Sequence, residues 1–389
     1  MGPPVDICMI VHNDVAHDSR VLKEAASLAA HGWWVVVLGV CLGAENLPER
    51  EAVSGFTILR VTPRLFRDLL PGRMGQLLPL VPVFPLLSLR LRQINARVYH
   101  AHDFTGLLQV ALAGIWRRPV VYDSHELFFD RPLPDVPAPV RWAIDRLRPL
   151  EKLLARRAAG VITVCDSIAD RLAATLGILR PTVVRNAVDT RALGPTAAVF
   201  RTNGRRAIVH SGGLIGGRHL PELVASLAHL PQDIMLVLMG KGPLQPQLTD
   251  QARRLGVADR LLMIPPVPPA SVAPTLSQAD AAAVLIASQG DSYHHALPNK
   301  FFEAVAAGLP LVASPIPEVA GLVRRYDLGV ICDPTNPAEI AQAIRTILEP
   351  GNLAHYRANV CRAREELNWE VEEGRLIAFY EAIFRDSGA

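Results

Sequence analysis

The sequence predicts an α/β protein made of two doubly wound parallel sheets. Three observations predict it. Short apolar runs of strand length alternate with helical-period stretches, and this alternation occurs twice. The chain has 389 residues, where a domain usually takes about 100–200. Between the two rounds, residues 190–206 mix glycine, proline and polar side chains as a linker does.

In the first round, residues 5–11 (Val-Asp-Ile-Cys-Met-Ile-Val) read as a buried parallel strand. Residues 21–30 carry apolar side chains at helical spacing, ended by His31 and Gly32. Residues 33–38 and 56–61 are the next strands. No G-x-G-x-x-G follows the first strand, which disfavours a dinucleotide dehydrogenase. Residues 97–102 form a strand ending in His102, after which Asp103 is expected to start a loop. Residues 119–124 form another, ending in His125 and Glu126. In open α/β sheets ligands sit outside the carboxyl ends of strands, so His102 and His125 each qualify for a cleft. Residues 141–157 read as one basic amphipathic helix, and 160–164 and 181–184 as strands.

The second round opens with a strand at 207–211. Then come a glycine-rich turn, Gly212-Gly-Leu-Ile-Gly-Gly217, Arg218, and a helix over about 220–230. Glycines let backbone approach a ligand closely, and a helix start favours an anion. The turn is not a P-loop, because the G-K-S/T ending is absent. Strands at 234–239, 260–264, 281–286, 311–313 and 329–331 continue the series, with helices from about 338 and 353 and a last helix over 371–384.

Within that series, residues 292–303 read as a loop feeding a helix. Pro298 lies near its start, where the missing N–H costs least. Phe301, Phe302, Val305 and Ala306 give it an apolar side, and Gly308 and Pro310 end it. The helix start carries partial positive charge, Lys300 adds a full one, and Glu303 sits one turn further in. A cation, free amides and a carboxylate at one helix start suit a nucleoside diphosphate and its ribose.

Composition narrows the class. Forty Lys and Arg against 37 Asp and Glu leave a net charge of +3, too weak to imply nucleic acid. Five cysteines without a C-x-x-C pair argue for a reducing compartment and against a disulfide framework or zinc site. No signal peptide is read at the N-terminus, and the uncharged run 74–89 is short and broken by Pro79, Pro82 and Pro85. A cytoplasmic location follows as the expectation. The apolar, proline-rich segment 63–92, with arginines at both ends, reads either as a crossover helix with a long loop or as a peripheral membrane or acceptor-cleft element.

Taken together, His17-Asp-Ser-Arg-Val-Leu-Lys-Glu24, His100-Ala-His-Asp103, the His125-Glu126 strand end, Val183-Val-Arg-Asn-Ala-Val-Asp189, the glycine-rich turn with Arg218, Met239-Gly-Lys-Gly-Pro243, and Ala296-Leu-Pro-Asn-Lys-Phe-Phe-Glu303 with Ala307-Gly-Leu-Pro310 resemble the family-4 glycosyltransferases. The resemblance implies the GT-B architecture: two Rossmann-like domains facing across a cleft, with a C-terminal helix crossing back to the N-terminal domain. The expected boundaries are 1–189 plus about 370–389 for the acceptor domain, and 190–369 for the donor domain.

The same resemblance implies roles. Glu303 matches the second glutamate of the family's Glu–seven residues–Glu motif, which binds the ribose. Arg218 matches the basic residue that clamps the diphosphate, and Lys300 a cation of the branch with a Pro-x-Lys-x-x-Glu pattern. His125 matches the histidine near the transferred sugar. Gly212, Gly213, Gly240, His295, Leu297 and Asn299 fall on the donor side, and Asp18, Arg20, His102 and Asp103 on the acceptor side. Two departures stand out. His295 replaces the motif's first glutamate, and Gly213 replaces the arginine that often precedes the clamp.

The implied reaction is retaining transfer of a sugar from a nucleoside diphosphate, UDP ahead of GDP, to an acceptor hydroxyl, with closure about the 190–206 linker excluding water. The acceptor is expected to be a saccharide, a lipid-linked intermediate of the cell envelope, or a small natural product. No Asp-x-Asp pair exists in the chain, so no metal and no cofactor are expected. Two rivals share the architecture: a sugar-nucleotide 2-epimerase, which needs converging carboxylates, and a non-catalytic sugar-nucleotide-binding subunit.

Overall fold

The structure is a computed structural model, and it describes residues 5–41, 47–62, 80–131, 136–195, 199–288 and 290–387. Residue contacts divide the chain into two units, 1–185 with 373–389, and 186–372.

The first unit runs β1 (Val5–Ile10), α1 (Ser19–Ala30), β2 (Val35–Val40), β3 (Arg50–Val53), β4 (Phe56–Val61), α2 (Leu80–Gln93), β5 (Ala96–His102), α3 (Asp103–Ala113), β6 (Val120–Ser124), α4 (Ala138–Asp145), α5 (Arg148–Ala155), β7 (Gly160–Thr163), α6 (Asp166–Leu172) and β8 (Thr182–Val183). Its sheet has the order β3-β4-β2-β1-β5-β6-β7-β8, parallel throughout except for the β3–β4 hairpin. The strands are apolar along their length because helices cover both faces; in β2 every residue is buried.

The second unit runs β9 (Arg206–Ser211), α7 (Leu220–Ser226), β10 (Ile234–Met239), α8 (Gln245–Arg254), β11 (Leu261–Ile264), α9 (Pro269–Leu276), β12 (Ala281–Val284), α10 (Gly290–His294), α11 (Asn299–Ala306), β13 (Leu311–Ala313), α12 (Pro317–Tyr326), β14 (Gly329–Ile331), α13 (Pro337–Leu348) and α14 (Pro350–Ala363). Its six strands are all parallel in the order β11-β10-β9-β12-β13-β14. The strand order reverses between β1 and β5 in one sheet and between β9 and β12 in the other. The carboxyl ends of strands at such switch points are where ligands bind.

The last helix, α15 (Trp369–Ser387), leaves the second unit and ends in the first. There Tyr380 is fully buried, and Phe379 packs so closely on Gly160 that a Cβ there would come within 2.5 Å of its ring. Arg97 lies over the Phe384 ring at 4.6 Å.

Several local expectations change. The single helix expected over 141–157 is two, α4 and α5, because Pro149 cannot donate to the Asp145 carbonyl and its ring would clash there. Asp103 starts no loop; it opens α3, with His102 as N-cap and Asp103 itself at φ 55°. The β3–β4 hairpin, turned by Ser54 and Gly55 at φ 46° and 86°, was not anticipated. Of the 63–92 segment, 63–79 lies outside the described residues, and the rest is α2. The 190–206 stretch is fastened within the second unit: Thr190 Oγ1 donates to Glu370 Oε1 at 2.5 Å, and Gly194 N to the Ala270 carbonyl at 2.9 Å.

Candidate functional site

In the second unit the candidate residues gather at the β9/β12 switch point. After β9 the chain turns at Gly212 (φ 115°), and after β10 at Gly240 (φ 154°). The two turns touch: a Cβ on Gly240 would lie 1.9 Å from the Gly212 carbonyl oxygen, so only glycine fits. Gly213 is exposed, and the backbone N–H of Leu214 donates to the Lys241 carbonyl at 3.0 Å.

Helix α11 approaches the same turn. Pro298 caps it in an extended conformation, and Leu297, Phe301 and Phe302 are buried beneath. These apolar anchors aim Lys300, in the first turn, at Gly212. A Cβ on Gly212 would stand 3.9 Å from Lys300 Nζ. One turn on, Glu303 Oε2 accepts from Ser211 Oγ at 2.7 Å. Asn299 Oδ1 accepts from Asn186 Nδ2 at 2.9 Å.

Lys300 is only 8% exposed, and its Nζ lies 3.4 Å from His210 Nε2. His210 Nδ1 is 3.2 Å from the Ala283 carbonyl. A carbonyl only accepts, so Nδ1 carries the proton and Nε2 is left to accept from the lysine. Burial and the neighbouring Arg218 charge lower Lys300 to about 7, against the pull of Glu303. Burial and the Lys300 charge hold His210 well below the ordinary histidine range. Arg218 is half-buried, with its guanidinium 5.8 Å from the Tyr293 ring centre. His295, where the motif's first glutamate would stand, stacks edge-on against His294 at 5.0 Å.

In the first unit the candidate residues lie at the carboxyl ends of β5 and β6, beside the start of α1. Asp18 caps α1, accepting from Val21 N at 3.2 Å. Burial opposes its charge, but His125 and His102 lower it below the usual carboxylate range. His125 N donates to Asp103 Oδ1 at 3.0 Å. His125 Nε2 lies 3.1 Å from Asp123 Oδ2 and 3.0 Å from His102 Nδ1. Burial disfavours charge on His125, but Asp103 and Asp123 outweigh it and raise the imidazole to about 10. Burial first, then the neighbouring His100 and His125, push His102 to about 3, so it stays neutral.

Arg20 is not at the surface, where an acceptor contact would need it. It is 3% exposed, forked onto both Asp123 oxygens at 2.9 Å, with Nη1 donating to the Val184 carbonyl at 2.7 Å and Nε 3.0 Å from Glu24 Oε1. Burial raises Glu24 to about 8 in spite of Arg20. His102 is likewise 1% exposed. Both hold other groups in place, whereas Asp18, Asp103 and His125 at this end of the sheet are partly exposed.

The sequence reading missed His210, Ser211, Glu24, His100, Asp123 and Tyr380. His100 Nδ1 is 2.5 Å from the Tyr380 hydroxyl on α15, and its Nε2 is 3.6 Å from Asp123 Oδ2. Glu24, His100, His102 and Asp123 bring ligand atoms within 4.8 Å of one another. Arg20 stands among them on Asp123 and Glu24, and its guanidinium supplies the positive charge a metal would bring.

A family model described as Glycosyltransferase Family 4 matches residues 19–192, and one described as Glycosyl transferases group 1 matches residues 200–363. Among curated proteins, glycogen synthase of Mycobacterium tuberculosis is 28% identical over 283 residues, covering 70% of this chain and 66% of that one. The 2-deoxystreptamine glucosyltransferase of Streptomyces kanamyceticus is 27% identical over 250 residues, 60% of this chain and 63% of its own. This chain thus spans just under two thirds of the length of each. D-inositol 3-phosphate glycosyltransferase of Rhodococcus jostii is 24% identical over 92% of this chain and 83% of its own.

Among solved structures, sucrose-phosphate synthase from Thermosynechococcus elongatus superposes with a TM-score of 0.74 at 18% identity, over 98% of this chain and all of that one. Anabaena HepE in complex with UDP gives 0.71 at 17%, over 97% of this chain and all of that one. Two parallel-sheet units of this topology make the fold GT-B. With the two family models tiling the chain from 19 to 363 and the motif residues set at the switch points, the chain belongs to family 4 of the glycosyltransferases.

Proposed function

We propose that the protein transfers a sugar, with retention, from a nucleoside-diphosphate sugar to an acceptor hydroxyl, and that the donor nucleotide is UDP. The observation that carries this reading is the arrangement at the β9/β12 switch point. Lys300 Nζ stands beside Gly212, and Glu303 is fixed by Ser211 at 2.7 Å. A diphosphate set over Gly212 meets Lys300, Arg218 and the first amides of α11. Glu303 is then one helical turn away for the ribose hydroxyls. UDP is favoured because HepE is described in complex with UDP.

In the proposed reaction the bond from the anomeric carbon to the diphosphate oxygen breaks, and the acceptor oxygen bonds to that carbon on the same face. The acceptor proton passes to the leaving phosphate oxygen, so no protein base is required. Arg218, Lys300 and the helix amides stabilise the charge on the leaving group. The family pattern gives His125 to the transferred sugar. Raised to about 10, it is an imidazolium at neutral pH and serves as a donor. Metal independence is part of the proposal, the two side-chain cations taking the role of an ion.

Because two relatives are named for 2-deoxystreptamine and D-inositol 3-phosphate, ring polyols are the first acceptors to try. A panel of UDP- and GDP-sugars with such acceptors, read as nucleotide release, tests the reading. Release of UDP only when an acceptor is present supports it. Epimerisation of the sugar nucleotide without acceptor, or no turnover with any pair despite donor binding, contradicts it.

A further inference from the structure

The unexplained feature of the molecule is the outer face of one helical layer in the first unit. The crossovers β4 to β5, β5 to β6 and β6 to β7 all advance the same way across the sheet. Right-handed connections therefore put α2, α3 and α5 on one face, and α2 packs on α3 and α3 on α5. Twelve large hydrophobic side chains are exposed among the described residues, and seven of them lie on these helices, on α4, or in the two-residue link from α4 to α5. Leu89 is 57% exposed, Leu112 51%, Trp142 61% and Leu153 56%. Helix α4 buries none of its residues. A sheet-covering layer usually turns its apolar side inward; this one also carries apolar side chains on the outside.

Charge says what covers them. Residues 80–93, 103–118 and 138–157 hold ten Arg or Lys against three Asp or Glu, in a chain whose totals are nearly balanced. Of the three acids, Glu151 is buried, accepting from the Tyr122 hydroxyl at 2.6 Å. Asp145 lies 3.3 Å from Arg148. Arg146 lies over the Trp142 ring at 4.4 Å, the pairing of a flat apolar ring with a cation that suits the headgroup level of a bilayer. No helix among the described residues is long and apolar enough to cross a membrane. We infer that the α2–α5 face docks on an anionic lipid surface, with Trp142, Val140 and Leu153 entering the headgroup boundary and Arg141, Arg146 and Lys152 facing the lipid charge.

The test uses the full chain with vesicles of phosphatidylcholine, with and without about 30% phosphatidylglycerol. The protein is expected to sediment with the anionic vesicles only, and to be released by roughly 0.5 M salt, where screening shortens the reach of each charge. Brominated lipid should quench the wild type, and quenching should drop in Trp142→Phe. The pair Trp142→Ala and Leu153→Ser should weaken binding at least tenfold, as should Arg141→Glu with Arg146→Glu, while Trp34→Ala, exposed elsewhere in the unit, leaves it unchanged. All these side chains are exposed, so near-ultraviolet circular dichroism should match wild type. Binding that these variants do not alter, or absence of binding to either vesicle, overturns the inference. So does a concentration-dependent dimer, abolished by the same substitutions, with no vesicle binding, since the face would then be an interface between copies.

Discussion

Lys300 Nζ lies 3.4 Å from His210 Nε2, and the other nitrogen of that histidine faces the Ala283 carbonyl at 3.2 Å. The backbone thereby fixes which nitrogen is free to accept, and a buried lysine is held beside Gly212 with its proton weakly bound. Bringing a diphosphate there restores the charge that burial opposes.

Nucleotide binding is therefore expected to take up a proton. At pH 8 Lys300, lowered to about 7, is largely neutral in the free protein and becomes charged beside phosphate. Calorimetry of UDP binding in two buffers of different ionisation heat should show uptake at pH 8, less at pH 6, and none in Lys300→Met. Equal heats in both buffers at pH 8 contradict it. His210→Leu removes the acceptor and should weaken UDP by roughly tenfold, the size of a hydrogen bond to a charged group.

Glu303 and Ser211 should behave as a pair. Glu303→Ala is expected to weaken donor binding by about 10–100-fold with a smaller change in kcat, because the ribose contact exists in ground and transition states alike. Ser211→Ala removes one hydrogen bond to the carboxylate and leaves the carboxylate in place, and should cost less, about 1 kcal/mol. Unchanged donor affinity in Glu303→Ala contradicts the ribose role.

His125 should set a limb of the pH profile at high pH. With donor saturating, kcat should hold to about pH 9 and fall as the imidazolium, raised to about 10, loses its proton. Asp103→Asn removes one of the two carboxylates that raise it, so the limb should move to lower pH. The same shift contributes stability fully present below the unfolded value of about 6.5 and lost as pH rises through about 10. A basic limb that Asp103→Asn leaves in place contradicts this account.

Arg20 should matter to folding more than to the donor. Arg20→Met leaves Asp123 buried without its fork and is expected to cost about 3–5 kcal/mol. Denaturant unfolding checks the loss. UDP affinity should stay near wild type, since Asp123, Glu24 and Val184, which Arg20 holds, all lie in the first unit. Tyr380→Phe, which takes the hydroxyl from His100, should cost about 1–3 kcal/mol.

The parallel strands were legible because burial on both faces leaves continuous apolar runs such as 234–239, read at its observed bounds, and 35–40, read two residues early as 33–38. The hairpin strand β3 alternates between exposed and half-buried residues and gives no such run. The break after Asp145 was also readable, since Pro149 stands four residues on, but helical periodicity on both sides hid it. Arg218, Lys300 and Glu303 were visible as a local pattern, three groups around a glycine turn and a helix start. The Arg20 network was not, because two of its partners stand 103 and 164 residues away, and only the sheet order β1-β5-β6-β7-β8 brings them together. For the same reason Arg20, which the family resemblance puts on the acceptor side, gives no sign in the sequence of being an interior residue.

The central claim is that side-chain cations and helix amides at the β9/β12 switch point hold the donor diphosphate. The most direct measurement is UDP affinity by calorimetry, in EDTA, for wild type, Arg218→Ala and Lys300→Met. The account predicts micromolar-range binding by wild type without metal, and a loss of roughly 2–4 kcal/mol, or about 30- to 1,000-fold, in each variant. Wild-type binding that requires added divalent metal, or affinity unchanged in both variants, would contradict it.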